Sequence, residues 1–481
     1  MTAVTLAGGD RDELPRSPAE PEASFALPSA AAARYSVVFL TFIYMLNFVD
    51  RQIVNILAEP IKHDLGLKDW QLGAMTGLGF AMFYTVLGVP MARLAERHHR
   101  GRIIAACLVV WSGFTVACGM SVNFLQILFA RVGVGIGEAG CTPSAQSLIA
   151  DSVPAERRAL ALGVFSMGVP IGSLAGLVLG GLVAQSYGWR AAFLIAGAPG
   201  IVLGVLALAT LKDPRPASTA ASRATLLPFR AVLTGLRRQP AFWWLGAGAA
   251  LSSFIGYGQQ AFYVSFFLRN HAAELTEAGS RLGFAGPLAF IGVALGIVIG
   301  VAGGFGTVTG GVLGDRFARR GPAGYPLVAA LSMFLAGPLL AAVFFLGDGL
   351  AILGLLLVPL FLKNMWFGPV FAAVQGMIPP RSRATATAIF LFVLNAGGLG
   401  LGALLTGVIS DLFATRFGSA EGLKYALVAT SLVSFLSAAC FWRAAVAMRR
   451  GATLRQGGPH DFAPSTGVGG FGTDGIKGVS G

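Results

Sequence analysis

Five ionisable residues lie inside long apolar stretches of the 481-residue sequence. They are Asp50 and Arg51 in one stretch, Arg131 and Glu138 in a second, and Lys363 in a third. A charged side chain at the centre of a membrane-spanning helix costs about 2.5–3.5 kcal/mol, so five unpaired charges would cost on the order of 12–18 kcal/mol. We therefore expect these side chains to face one another or a polar cavity.

The spacing of four of these residues limits which of them can meet. Asp50 and Arg51 are adjacent, so on a helix their side chains point about 100° apart. Arg131 and Glu138 are seven residues apart, which places them on one helix face about 10 Å apart along the axis. Counted from the ends of their helices, Asp50 and Arg131 fall at similar depth. We expect an Asp50–Arg131 pair, with Arg51 turned toward Glu138 or the substrate path.

Such a set can carry protons. Burial in a low-dielectric cavity favours the protonated form of a carboxylate, and a nearby arginine favours the ionised form. A motion that separates an acid from its arginine would therefore move a proton. We predict Asp50 and Glu138 as proton-coupling residues, with Arg51 and Arg131 as charge partners or substrate-binding residues.

Lys363 adds a third base to two embedded acids, which favours an anionic substrate. Its amine could meet a phosphate or a carboxylate. The alternative is a lysine that extends to the membrane surface or pairs internally.

The composition identifies a membrane protein rather than a soluble enzyme. Hydrophobic residues make up 55% of the chain and charged residues 12%, and the mean hydropathy is +0.72. Soluble domains carry roughly 25% charged residues. The net charge of +13 does not indicate nucleic-acid binding, because the basic residues lie in short stretches between apolar runs. No nucleotide-binding loop, metal-binding pattern or nucleophile–base set is present, so we predict no enzyme activity, cofactor or metal.

Twelve apolar runs, each able to cross a membrane, predict an all-α membrane protein with twelve transmembrane helices in two six-helix halves. The longest break between runs is rich in arginine and proline and reads as a linker. The predicted division is a disordered N-terminal tail at 1–33, an N-terminal half at 34–211, a cytoplasmic linker at 212–240, a C-terminal half at 241–447 and a flexible C-terminal tail at 448–481.

The distribution of basic residues predicts the orientation. If both termini are cytoplasmic, 24 basic residues lie in cytoplasmic segments and seven in outer loops, as the positive-inside rule expects. The arginine-rich composition and the absence of any Asn-x-Ser/Thr site favour the inner (plasma) membrane of a bacterium. We expect a monomer.

A short charged motif occurs twice, 219 positions apart, and supports two related halves. It follows the second and the eighth apolar run, as Leu94–Arg100 and Leu313–Arg319. Its charges either anchor the topology or form a cytoplasmic gate that pairs when the halves close. The candidate gate residues are Glu96, Arg97, Arg100, Asp315, Arg316 and Arg319.

These motifs resemble known signatures. The stretch 310–320 is similar to the cytoplasmic signature of the major facilitator superfamily, and Arg131-x-x-x-Gly135-x-Gly137 resembles its fourth-helix pattern, which is associated with proton coupling. The earlier motif copy departs from the signature, because Glu96 stands where aspartate is usual. The resemblance implies the major facilitator fold, with parallel halves and alternating access.

A narrower resemblance is to the spinster family of sphingolipid and lysophospholipid transporters. It rests on the stretches 47–51, 135–139 and 143–151. This resemblance implies a polar, proton-linked core in the N-terminal half. It also implies an amphipathic anionic substrate such as a lysophospholipid or a sphingosine-1-phosphate-like lipid.

Other functions remain open from sequence. A proton-driven multidrug efflux carrier would export hydrophobic cations, and an organic-anion symporter would take up its substrate with protons. A membrane receptor or scaffold is the alternative outside transport. The repeated halves and the embedded acid–base set argue against it.

Overall fold

The computed structural model describes residues 28–154, 157–214, 229–378 and 383–456, and all regular structure in these ranges is helical. Within these described ranges, twelve long helices follow the predicted apolar runs. Eight stretches are long and apolar enough to span a membrane by composition alone, and two of them contain a break that divides them into two helices. Two further helices, interrupted or more polar, complete the twelve.

We number the spanning helices in chain order. They are α1 (Ala30–Leu65), α2 (69–97), α3 (Arg100–Gly119), α4 (Phe124–Ser152), α5 (158–187), α6 (189–210), α7 (240–270), α8 (Pro287–Ala318), α9 (Gly324–Val343), α10 (Gly349–Met377), α11 (383–417) and α12 (419–456).

The two breaks occur at equivalent places in the two halves. Gly188 separates α5 from α6 with a φ of 81°, and Gly418 separates α11 from α12 with a φ of 80°. Only glycine adopts this backbone region readily, so each glycine reverses the chain without a longer loop. The matching turns support the internal repeat that the charged motifs predict.

The outermost helices extend beyond the predicted tail boundaries. Helix α1 begins at Ala30, where the hydroxyl of Ser29 accepts a hydrogen bond from the backbone of Ala32, and serine is a favoured N-cap residue. Helix α12 continues to Gln456. Both helices continue beyond their apolar runs, α1 at its start and α12 at its end. Polar turns can continue a helix outside the hydrocarbon layer.

Alternating helix directions give the bundle two ends. We call the end that bears the start of α1 and the end of α12 the terminal end, and the opposite one the distal end. Contacts follow this division: Tyr35 donates to Thr210 at the terminal end, whereas Arg190 pairs with Asp64 at the distal end.

The two halves pack closely near the distal end through small residues. A Cβ atom placed on Gly292 of α8 would lie 2.5 Å from the carbonyl oxygen of Leu177 on α5, so only glycine allows this approach. Gly300 and Gly304 follow in the same row, toward the terminal end, and have no neighbouring atom within 4 Å of such a Cβ. The glycine row of α8 is therefore in contact with α5 only in its distal part.

A short helix, Phe229–Arg237, lies in the segment that we predict as a linker. Its buried Val232 and Leu236 join the main hydrophobic core, and the indole nitrogen of Trp243 donates to the carbonyl of Leu236. The end of the linker is thus fixed to the C-terminal half.

Candidate functional site

Close helix contacts position the four ionisable residues of the N-terminal half. Helix α1 carries Asp50 and Arg51, and α4 carries Arg131 and Glu138. A Cβ atom on Gly137 of α4 would lie 2.6 Å from the backbone nitrogen of Trp111 on α3. The glycines between Arg131 and Glu138 therefore bring α4 against its neighbours and fix the direction of both charged side chains.

Arg51 and Glu138 form a buried ion pair. The Nε and Nη2 atoms of Arg51 each lie 2.8 Å from Oε2 of Glu138. The Glu138 side chain has no exposed surface, and that of Arg51 is 14% exposed. The structure thus shows Arg51 turned toward Glu138, one of the two directions that the sequence allows.

The expected Asp50–Arg131 pair is wrong for this structure. Oδ2 of Asp50 accepts a hydrogen bond of 3.2 Å from Thr115 of α3, and Asp50 forms no ion pair within 4.0 Å with any described residue. Its Oδ1 atom, like Nε and Nη1 of Arg131, has no hydrogen-bond partner among the described residues. Similar depth along two helices does not ensure that their side chains come within pairing distance.

An aromatic cluster surrounds the two guanidinium groups. The guanidinium carbon of Arg51 lies 4.8 Å from the ring centre of Phe80 and 4.6 Å from that of Tyr84, both on α2. The guanidinium of Arg131 lies 5.4 Å from the same Phe80 ring. Phe80 therefore contacts both cations, in the geometry of a cation–π interaction. These aromatic residues were not predicted as part of the site, although their i, i+4 spacing on α2 signals a shared face.

A small central cavity of about 40 Å³ lies between the halves beside these charges. That volume is on the order of one water molecule. The N-terminal half contributes Arg51 and Arg131 to its wall, and the C-terminal half contributes Tyr257 and Gln260. Gln260 also donates to Oε1 of Gln52 at 2.9 Å. The site is thus shared by the two halves at their interface.

Lys363 is buried elsewhere, in the C-terminal half. The residue is 8% exposed, and its side chain forms no ion pair with any described residue. The Nζ atom lies 3.7 Å from where a Cβ on Gly256 would stand, next to the cavity residue Tyr257. Lys363 therefore lies in the C-terminal half, next to the central cavity, and forms no ion pair with the acids of the N-terminal half.

At the terminal end, Arg100 forms its ion pairs on the side of the N-terminal half. Its buried guanidinium contacts Asp151 of α4 at 2.7 Å and Asp213, after α6, at 2.6 Å, and it donates to Ser147. In this structure Arg100 therefore joins α3, α4 and the start of the linker, instead of reaching the opposite half.

Among the other candidate gate residues, those whose side chains the structure describes form no ion pair across the halves. Arg97, Arg316 and Arg319 are exposed and form no ion pair within the part of the chain that the structure describes. Asp315 accepts a hydrogen bond from Tyr325 of the same half. The side chain of Glu96 lies outside what the structure describes.

Comparison with known proteins agrees with this architecture. The family described as Major Facilitator Superfamily matches residues 40–400. An "MFS-type efflux pump" of Mycolicibacterium smegmatis is 33% identical over 86% of this chain and 93% of its own length. "Protein spinster" of Drosophila melanogaster is 24% identical over 84% of this chain and 66% of its own length.

A solved structure with a similar fold is a bacterial homologue of the human lysosomal transporter spinster, in an inward-facing and unoccupied conformation. It has a TM-score of 0.77 and 29% sequence identity, and the match covers 88% of this chain and 99% of that one. The twelve-helix arrangement, the family match and these relatives confirm the fold and the resemblance to spinster proteins. The chain is a member of the major facilitator superfamily of membrane transporters.

Proposed function

We propose that this protein is a proton-coupled secondary transporter that works by alternating access and carries an amphipathic anion. The observation that supports it most is the group of two acids and two arginines beside a cavity shared by both halves. Only Arg51 and Glu138 are directly paired there. Alternating access moves such a site from one side of the membrane to the other as the halves rock.

In this proposal Glu138 and Asp50 carry protons. Protonation of Glu138 removes the charge that holds Arg51, and a buried cation without its partner is costly. The unpaired guanidinium of Arg51 then attracts an anionic group into the cavity. Asp50, which has one oxygen without a hydrogen-bond partner among the described residues, takes or gives a proton as the helices shift.

The proton-coupling assignment is tested with Asp50→Asn and Glu138→Gln in proteoliposomes. We expect each substitution to reduce the rate of transport driven by a pH gradient at least tenfold. Exchange of substrate without a gradient should persist, because exchange needs no net proton transfer. Asp64→Asn, which removes an exposed carboxylate at the distal end, should leave both activities unchanged. Full gradient-driven transport in both site variants would refute the assignment.

The proposed substrate is a lysophospholipid or a sphingosine-1-phosphate-like lipid. The embedded charges include three bases and two acids, so the fully ionised set attracts an anion. Lys363, buried without an ion-pair partner among the described residues, is the proposed second contact for a phosphate or carboxylate. A relative in Arabidopsis thaliana, 30% identical over 43% of this chain, is called a probable sphingolipid transporter.

Multidrug efflux is the second candidate function, because the 33% identical relative of Mycolicibacterium smegmatis is an efflux pump. The aromatic rings around Arg51 could also accept an apolar drug. Competition separates the two candidates: a lysophospholipid should block transport if the first proposal holds, and hydrophobic cations should block it if the protein exports drugs. A hexuronate transporter of Bacillus subtilis, 23% identical, represents the organic-anion symporter alternative.

We further propose that both termini are cytoplasmic, that the protein is a monomer of the bacterial plasma membrane, and that this structure is inward-facing. The exposed Arg97, Arg316 and Arg319 are then available to pair across the halves when the terminal end closes.

A further inference from the structure

We propose that an ionic cluster at the distal end is the latch that holds this side of the transporter closed. We call Glu59, Asp69 and Arg269, with Ser410 and Asp411, the distal latch. Glu59 and Asp69 belong to the N-terminal half, and the other three belong to the C-terminal half. The inference rests on the alternating access of the proposed function, and it adds residues that the coupling site does not include.

Arg269, near the end of α7, binds two carboxylates of the opposite half at once. Its Nε and Nη2 atoms lie 2.8 Å and 2.7 Å from the two oxygens of Glu59. Its Nη1 and Nη2 atoms lie 2.8 Å and 2.7 Å from the two oxygens of Asp69. Bidentate arginine–carboxylate contacts are strong and directional, so one side chain joins α1, α2 and α7.

Helix α11 contributes a second connection. The carboxylate of Asp411 accepts hydrogen bonds from the backbone nitrogens of Asp69 at 3.1 Å and Trp70 at 2.8 Å. Ser410 donates to Asp69 at 2.6 Å. The first amides of a helix lack partners within that helix, and an acid there also interacts favourably with the helix dipole. The start of α2 is thus capped by a residue of the other half.

Burial and charge make the latch effective. The side chains of Glu59, Asp69 and Arg269 are at most 7% exposed, and Lys62 pairs with Asp69 at 2.7 Å as a further cation. Breaking a buried ion pair on one side leaves an uncompensated charge. A cleft of about 470 Å³, lined by Glu59, His63 and Arg269 among others, borders the latch.

Opening of the distal end must break these contacts. Seven hydrogen bonds of the latch cross between the halves, and all of them are lost when α7 and α11 move away from α1 and α2. The separated polar groups of the latch then form hydrogen bonds with water. The latch therefore favours the conformation that is closed at the distal end without preventing its opening. At the terminal end, none of the described candidate gate residues makes an ion pair across the halves.

The test measures the distance between the halves in full-length protein. Nitroxide labels are attached at Val122→Cys and Gly347→Cys, two exposed distal positions in opposite halves. The four native cysteines are buried. We expect Arg269→Gln to raise the ratio of long to short label distances at least tenfold, and Arg269→Lys to give an intermediate change. Arg190→Gln, which breaks an exposed distal pair within one half, should leave the ratio unchanged.

Asp411→Asn keeps the test decisive if Arg269→Gln does not fold. This variant retains the shape of the side chain but weakens its acceptance of the two backbone N–H groups, so the same shift should appear at smaller size. Unchanged distances in Asp411→Asn and Arg269→Lys would overturn the proposal. The measurement needs neither substrate nor a proton gradient, so its failure is separate from a failure of the transport assignment.

Discussion

The charged residues of the membrane core divide into two kinds of environment. Arg51 and Glu138 form a direct ion pair through Oε2 of Glu138, whereas Asp50 and Arg131 form no ion pair with any described residue. Oδ1 of Asp50, Oε1 of Glu138 and two nitrogens of Arg131 have no hydrogen-bond partner among the described residues. Unpartnered buried polar groups are rare in proteins and call for a physical explanation. Protons and an anionic substrate would satisfy them during the proposed transport cycle, so we assign the main chemistry of transport to these unpartnered groups.

Phe80 offers a test at this scale. Its ring contacts the guanidinium groups of both Arg51 and Arg131, and a cation–π contact is worth about 0.5–2 kcal/mol. We expect Phe80→Leu to reduce initial transport rates by about 2- to 30-fold. Phe80→Tyr should retain most of the activity because it keeps the aromatic face. Phe129→Leu, at a residue of α4 that is 67% exposed, is the matched control, and an equal loss there would contradict the role of the ring.

Sequence alone identifies the embedded charges but not their partners. Hydropathy predicts that Arg51 and Glu138 are both buried. The Arg51 side chain points toward Glu138, which is one of the two directions expected for it. The Asp50–Arg131 pair fails because depth along a helix is readable from the sequence and rotation about its axis is not. The latch residue Arg269 appears in the sequence only as one basic residue of an outer loop, since its acids are about 200 positions away.

Helix α4 shows how an element positions the site. Its glycines at 133, 135 and 137 alternate with apolar residues between the two charged positions. Gly135 meets the backbone of Phe80 on α2, and Gly137 meets Trp111 on α3. Side chains at these places would push α4 outward and separate Glu138 from Arg51.

This packing predicts a contrast between two glycine substitutions. Gly137→Ala would place its Cβ 2.6 Å from the Trp111 backbone, and overpacking of this kind costs about 1–3 kcal/mol. We expect a lower melting temperature in detergent and reduced transport. Gly113→Ala, on α3 where no atom lies within 4 Å of the new Cβ, should match the unaltered protein. Equal stability of both variants would show that the close approach is unimportant.

Element positions follow from the sequence better than element ends do. The apolar runs predict the twelve helices because each must cover the hydrocarbon layer. The repeated motif predicts two structurally related halves. The matching breaks at Gly188 and Gly418 support this prediction. The helix Phe229–Arg237 was not predicted, because its two core residues are too few to signal a buried face in a basic segment.

At the scale of the molecule, three features describe one conformation. The distal end is closed by the latch, the central cavity is shared by both halves, and the glycine row of α8 contacts α5 only in its distal part. These features fit a transporter whose site is closed to the distal side.

The most direct test of the central claim follows proton and substrate movement together. Purified protein is reconstituted into liposomes that contain a pH-sensitive dye, and a labelled lysophospholipid is supplied on one side without an imposed gradient. We expect a change of internal pH that accompanies substrate flux in a fixed ratio and is absent in Glu138→Gln. Substrate flux of normal rate with no proton movement would contradict proton coupling.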